Sequence, residues 1–155
     1  NTGPGMTVSL TADTTLTVAS HAGKILLTND ADGKFTLPSI NVNANGASAG
    51  DNDVNNLNNI GATFHFVVET AATDMDILTD GTDKFVGAIL IGVDDGAKKA
   101  FVPAATNDVI TMNGSTKGGI IGSIVSFTAV DTGTYLVHNS LLIGSGTIVT
   151  PYADA

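Results

Sequence analysis

The stretch HAGKILLTNDADGKFTLPSI, residues 21–40, decides how the chain is read. It offers an acidic loop, Asp30-Ala31-Asp32-Gly33, that could hold calcium. It also offers two Gly-Lys steps, Gly23-Lys24 and Gly33-Lys34, that could hold a phosphate. The alternative is two strands and a turn. A calcium loop of the EF-hand type needs acids at its first, third and fifth positions, a glycine at the sixth and a glutamate at the last. With Gly33 as that glycine, Thr28 and Ser39 fall where carboxylates are required, and only Asp30 and Asp32 fit. A phosphate loop needs Gly-Lys followed by Ser or Thr. Here Ile25 follows one Gly-Lys and Phe35 the other, and Gly114-Ser115-Thr116-Lys117-Gly118-Gly119 has the wrong order. The expectation is therefore strands at Lys24–Thr28 and Lys34–Leu37, joined as a hairpin by a solvated turn at Asn29–Gly33. Pro38 ends the second strand because it has no N–H for a ladder. No metal or cofactor is expected here, nor at Asp51-Asn52-Asp53 or the Asp74/Asp76 pair.

The same reading extends along the chain. Ala62–Glu69 alternates, with Phe64, Phe66 and Val68 on one face and His65, Val67 and Glu69 on the other. Further strands are expected at Thr15–Val18, Met75–Leu78, Phe85–Val93, Ala100–Val102, Asp108–Met112, Ile120–Ala129, Thr134–His138 and Leu141–Val149. Turn signals such as Asp80-Gly81 and Asp131-Thr132-Gly133 separate them. Gly87, Gly92 and Gly122 inside strand patterns suggest bulges or close backbone approaches. Many short strands with regular turns predict an all-β fold, an antiparallel β-sandwich resembling a jelly roll. A length of 155 residues predicts a single domain. Residues 1–7 are expected as a flexible arm, 41–60 as a long Asn-rich loop and 150–155 as a C-terminal tail. No internal repeat of fixed period stands out. Residue 1 is Asn, as expected of a removed initiator Met or a trimmed chain, and NTGPGMTVSL lacks a secretory signal pattern.

Composition narrows the function. There are 15 acidic and 6 basic residues, a net charge of −9, with no arginine and no cysteine. Arginine is the usual side chain for bidentate recognition of phosphates and bases, so no nucleic-acid partner is expected. Apolar runs such as Ala88–Ile91 are too short to span a bilayer, so no membrane partner is expected either. Only His21, His65 and His138 could serve as general bases, and there is no G-x-S-x-G elbow. His65 reads as a solvent-side residue near Glu69, and no catalytic residue is assigned.

The succession TTLTVAS, HAGKILLTN, GKFTLPS, GATFHFVVE, DMDILTDGTDKFVGAI, DVITM and GGIIGSIVSFTAVDTGTYLVHNSLLIGSGTIV resembles the small β-rich decoration, or cement, proteins of tailed-bacteriophage capsids. The likeness covers residues 7–149 as a pattern. It departs at the Asn-rich insertion 41–60 and in having Tyr135 and no tryptophan late in the chain. The resemblance implies a structural, non-enzymatic virion protein on the outer capsid surface. Its partners would be the major capsid protein and itself, as a homotrimer. The alternatives are a tail or fibre module of the same particle and a carbohydrate-binding β-sandwich, for which Tyr135 and Tyr152 are the only plausible stacking platforms. Contact with the shell is expected from the arm through Pro4 and Met6, and from the loop through Val54, Leu57 and Ile60.

Overall fold

The computed structural model describes residues 6–41 and 59–155. It is all-β, 47% strand and 3% helix, in two sheets. In chain order the elements are β1 (Thr7–Leu10), β2 (Thr14–Thr15), the helical turn α1 (Val18–His21), β3 (Ile25–Thr28), β4 (Lys34–Thr36), β5 (Thr63–Val68) and β6 (Met75–Leu78). They continue with β7 (Lys84–Val86), β8 (Ile89–Val93), β9 (Lys98–Phe101), β10 (Val109–Met112), β11 (Ile124–Asp131), β12 (Thr134–Gly144) and β13 (Tyr152–Ala153). The larger, eight-stranded sheet has the order β1-β3-β5-β11-β12-β8-β9, with β7 also paired to β12. The smaller, five-stranded sheet runs β13-β10-β6-β4-β2.

The antiparallel expectation needs correction, because both sheets are mixed. β5–β11, β11–β12, β8–β9, β6–β10 and β10–β13 are antiparallel. β1–β3–β5, β2–β4–β6 and the contacts of β12 with β7 and β8 are parallel. The cause lies in the opening stretch. β3 and β4 do form, but they belong to different sheets, so Asn29–Gly33 is a crossing between sheets and not a hairpin turn. The chain repeats that move three times, from β1 to β2, β3 to β4 and β5 to β6. Each return places a strand beside the one laid down a full circuit earlier, in the same direction. Val8, Leu26 and Phe66 thus lie side by side in one sheet, and Thr14, Phe35 and Ile77 in the other.

The crossings stack as well. Asn29 N–H donates to the Leu10 carbonyl, Glu69 N–H to Thr28, Thr73 and Asp74 N–H to Ala31, and Asp76 N–H to Gly33. Backbone groups at the corners are thereby paired between circuits, as buried or half-buried groups must be. α1 occupies one return. Thr17 caps it by accepting from Ser20 N–H, and His21 Nδ1 accepts from Thr17 N–H at 2.9 Å.

One cluster of buried residues joins the sheets. Phe35 of the smaller sheet meets Phe66 of the larger at 6.5 Å between ring centres, and Phe66 meets Phe127 edge-on at 5.6 Å. Edge-to-face rings add to the gain from area buried.

Other boundaries moved for local reasons. The expected strand Phe85–Val93 breaks at Gly87, whose φ is +105° and where a Cβ would sit 2.3 Å from the Val137 carbonyl. Only glycine tolerates both. Thr134–His138 and Leu141–Val149 merge into β12, whose pairing with β11 slips by one residue around Asn139, at φ 47°. Thr7 belongs to β1 and not to an arm; residues 1–5 lie outside the described part. So do 42–58, but the ends of that loop are tied: Asn41 N–H donates to Asn59 Oδ1 and Asn59 N–H to the Asn41 carbonyl. The segment expected as a tail instead carries β13, with Tyr152 buried against Phe85.

Candidate functional site

The two sheets present very different outer faces. On the larger sheet, side chains that alternate away from the core form rows across the strands. One row runs Leu27, Val67, Ile124, Leu141, Leu90, Ala100. Its neighbour runs Ile25, His65, Ser126, His138. Leu141 is 46% exposed, Ile25 42% and Leu90 40%, large values for leucine and isoleucine in paired strands. The strands of this sheet contain one carboxylate, Asp131, at the turn end of β11. Glu69 follows β5 at the rim, where its Oε1 accepts from Asn29 Nδ2 at 2.9 Å.

Two shallow grooves mark this face. One, of about 460 Å³, is floored by Leu90, Leu141 and Ile143 and rimmed by Asp94 and Lys98. The other, of about 340 Å³, lies over Ile25, His65, Val67, Ile124 and Ser126. The smaller sheet's outer face is charged instead. Lys34 lies directly beside Asp76 across β4 and β6, and Asp74 and Asp154 line the same depression.

Several polar groups on the larger face pair with one another. His65 Nδ1 and Ser126 Oγ are 2.8 Å apart, His138 Nε2 and Thr128 Oγ1 2.7 Å, and Thr63 Oγ1 and Thr128 Oγ1 2.9 Å. Burial lowers the His138 pKa below the usual histidine value, and the neighbouring His65 lowers it further. A neutral His138 fits a face with so little charge. Glu69, the carboxylate expected beside His65, is engaged with Asn29, and the imidazole bonds Ser126 instead. These hydroxyl–imidazole pairs satisfy one another; in neither does a carboxylate orient the ring, as a Ser-His-Asp arrangement requires. Among the described residues no group of three or more His, Asp or Glu side chains could hold a metal ion.

Of the contact residues expected from sequence, two are described. Pro4, Val54 and Leu57 lie outside the described residues. Met6 is exposed just before β1, at the edge of the larger sheet, and its carbonyl accepts from Ile25 N–H at 2.8 Å. Ile60 is half-buried in the turn that leads into β5. Tyr135 and Tyr152 are both buried, with hydroxyls donating to the Pro38 and Gly87 carbonyls. Neither ring is open to stack on a sugar, because β12 and β13 turn these positions inward.

The apolar outer face went unread in the sequence, although a signal for it exists. ILLT, FHFVV and SLLIG are apolar on both alternating sets of residues, the pattern of strands covered on both sides. Comparison with family models, with curated proteins and with solved structures finds no match.

Proposed function

We propose that the protein is a structural component of a tailed-bacteriophage particle that coats the outside of the capsid and stabilises it, without catalysis. Its partners on this reading are the major capsid protein and further copies of itself, associated as a homotrimer. The observation that carries the reading is the contrast between the outer faces. An apolar face with almost no carboxylate, on a chain of net charge −9, suits adhesion on one side and solubility on the other. Each contact made in the assembled state adds stability by mass action. Architecturally the reading takes the two sheets as the layers of a sandwich. The jelly-roll likeness extends to that layering only, since the parallel circuits of β1–β6 do not follow a jelly roll's antiparallel order.

Mass spectrometry of purified heads and tails, with copy number, tests the proposal. The expected result is a head protein at a copy number comparable with that of the shell subunit. Absence from the particle overturns it. Recovery with tails at low copy number favours the alternative, a tail or fibre module.

A further inference from the structure

The larger sheet's outer face is an extensive surface whose strands hold one carboxylate, Asp131, at a turn end, so copies of this acidic chain can meet there with few opposing carboxylates. We propose that this face, centred on Leu90, Ile124, Leu141 and Ile143, is the contact between copies of the chain. The inference rests on the self-association in the reading above and names the surface that makes it.

Three observations support a second copy as the occupant. The first is charge. Two molecules of net charge −9 repel through any face that carries their aspartates, and the repulsion reaches about 8–10 Å at physiological ionic strength. The smaller sheet's face, with Asp74, Asp76 and Asp154 around a single Lys34, is a poor surface for self-contact. The larger sheet's face holds its few charges at the rim, with Asp94 and Lys98 there of opposite sign. A cationic partner would gain from the acidic surfaces and nothing from this one.

The second is extent. At roughly 4.8 Å between strands and 3.3 Å per residue, the paired region spans about 30 Å by 15–20 Å. That is about 450–600 Å² in flat projection, below the ~800 Å² per partner of a standard interface before the relief of the side chains is added.

The third is pattern. Apolar residues on both faces of β3, β5, β8 and β12 belong to strands that are covered twice. The core covers one side, and on the other Ser126, Thr63 and Thr128 and one nitrogen of each imidazole are hydrogen-bonded within the face.

Sedimentation of the intact chain from micromolar to millimolar concentration is the test, with Leu90→Asp and Leu141→Asp compared against Thr36→Asp on the opposite sheet. The parent and Thr36→Asp should associate alike. Each face variant should weaken association at least tenfold while keeping its far-UV spectrum. Added salt should tighten the parent's association, because it screens repulsion and leaves apolar contact intact. A second measurement avoids dependence on a buried charge. The chain has no cysteine, so Ala100→Cys and Thr111→Cys each give a single labelling site, one per outer face. A spin label at 100 should lose mobility as concentration rises, and one at 111 should not.

A parent that stays monomeric overturns both this inference and the self-association in the functional reading. A parent that associates while the face variants and the label at 100 behave as the controls do overturns this inference alone. Virion copy number is unaffected by either result.

Discussion

Asn29-Asp30-Ala31-Asp32-Gly33-Lys34-Phe35 and Thr79-Asp80-Gly81-Thr82-Asp83-Lys84-Phe85 are nearly the same sentence written twice. Both follow a strand, carry two aspartates and a glycine, end on Lys-Phe and take the chain from one sheet to the other. Both phenylalanines are buried. The aspartates differ entirely. In the first turn the backbone and Asn29 do the joining: Gly33 N–H donates to the Asp30 carbonyl, Thr73 and Asp74 N–H donate to the Ala31 carbonyl, and Asn29 Nδ2 donates to Ser9 and Glu69. Asp30 is half-exposed beside the exposed Asp32, and their mutual contact raises its pKa.

In the second turn the side chains do the joining. Asp80 Oδ1 accepts from Thr82 and Asp83 N–H, and Oδ2 from Ser39 Oγ. Asp83, almost fully buried, accepts from Ile40 N–H at 3.0 Å. Lys84 reaches Asp108 at 2.8 Å. An acidic turn becomes structural when its own backbone and a neighbouring segment, here Ser39-Ile40, both bring donors to its carboxylates, and composition does not say when that happens.

The largest test of the comparison concerns what the turns share. Phe35→Ala and Phe85→Ala should each cost about 3–5 kcal/mol in urea unfolding, the loss typical of a buried phenylalanine. A much smaller loss at one site would show that the two anchors are not equivalent.

The next test separates the turns. Asp83→Ala leaves the Ile40 N–H without its acceptor and should cost about 1–3 kcal/mol. Asp32→Ala should stay within about 0.5 kcal/mol, as surface changes usually do. Equal losses at the two positions would break the distinction.

A pH series gives opposite signs. Burial alone would raise the Asp80 pKa, but hydrogen bonds from Asp83, Ser39 and Thr82 outweigh it and the net shift is downward. Its contribution is therefore complete above the unfolded carboxyl value and is lost as pH falls through the lower folded value. Asp30 is raised, so its folded form holds the proton more tightly and its contribution is lost as pH rises through that window. At pH 7 the melting temperature of Asp80→Asn should fall and that of Asp30→Asn should rise slightly. Both differences should shrink on acidification to the point where the carboxyls are protonated in both states.

The smallest effect is calcium at the first turn. Calorimetric titration should show no tight stoichiometric site there, and calcium should leave the melting temperature of the protein and of Asp30→Asn equally unmoved.

Much of the strand content was legible, because a residue that must face a core repeats every second position. Ile25–Thr28, Thr63–Val68 and Met75–Leu78 all lie within the expected runs. Alternation identifies which side chains turn inward but not which sheet they turn inward from. Lys24–Thr28 and Lys34–Leu37 therefore read as the two arms of a hairpin, whereas Leu26 and Phe35 are buried in different sheets. The threefold circuit was hidden for a related reason. Val8, Leu26 and Phe66 are equivalent, but the insertion before β5 more than doubles the second spacing and erases the period. Tyr152 was misread as part of a tail because a two-residue strand has no periodicity. The outer face was missed because doubly apolar strands look the same as ordinary core strands.

One feature of the sheets bears on the order in which the chain can acquire its structure. β12 is the strand to which β7, β8 and β11 all attach, yet β7 and β8 precede it in the sequence by about fifty residues. During synthesis, from the amino end onward, β1 to β6 find their circuit neighbours among residues already made. β8 finds β9 on one edge soon after both are made, but β7 and the other edge of β8 stay unfilled until β12 has left the ribosome, at residues 134–136 for β7 and 141–144 for β8. Contacts at such separation must first meet the entropic cost of closing a long loop. Nascent chains halted between residues 93 and 134 should therefore be the most readily captured by chaperones.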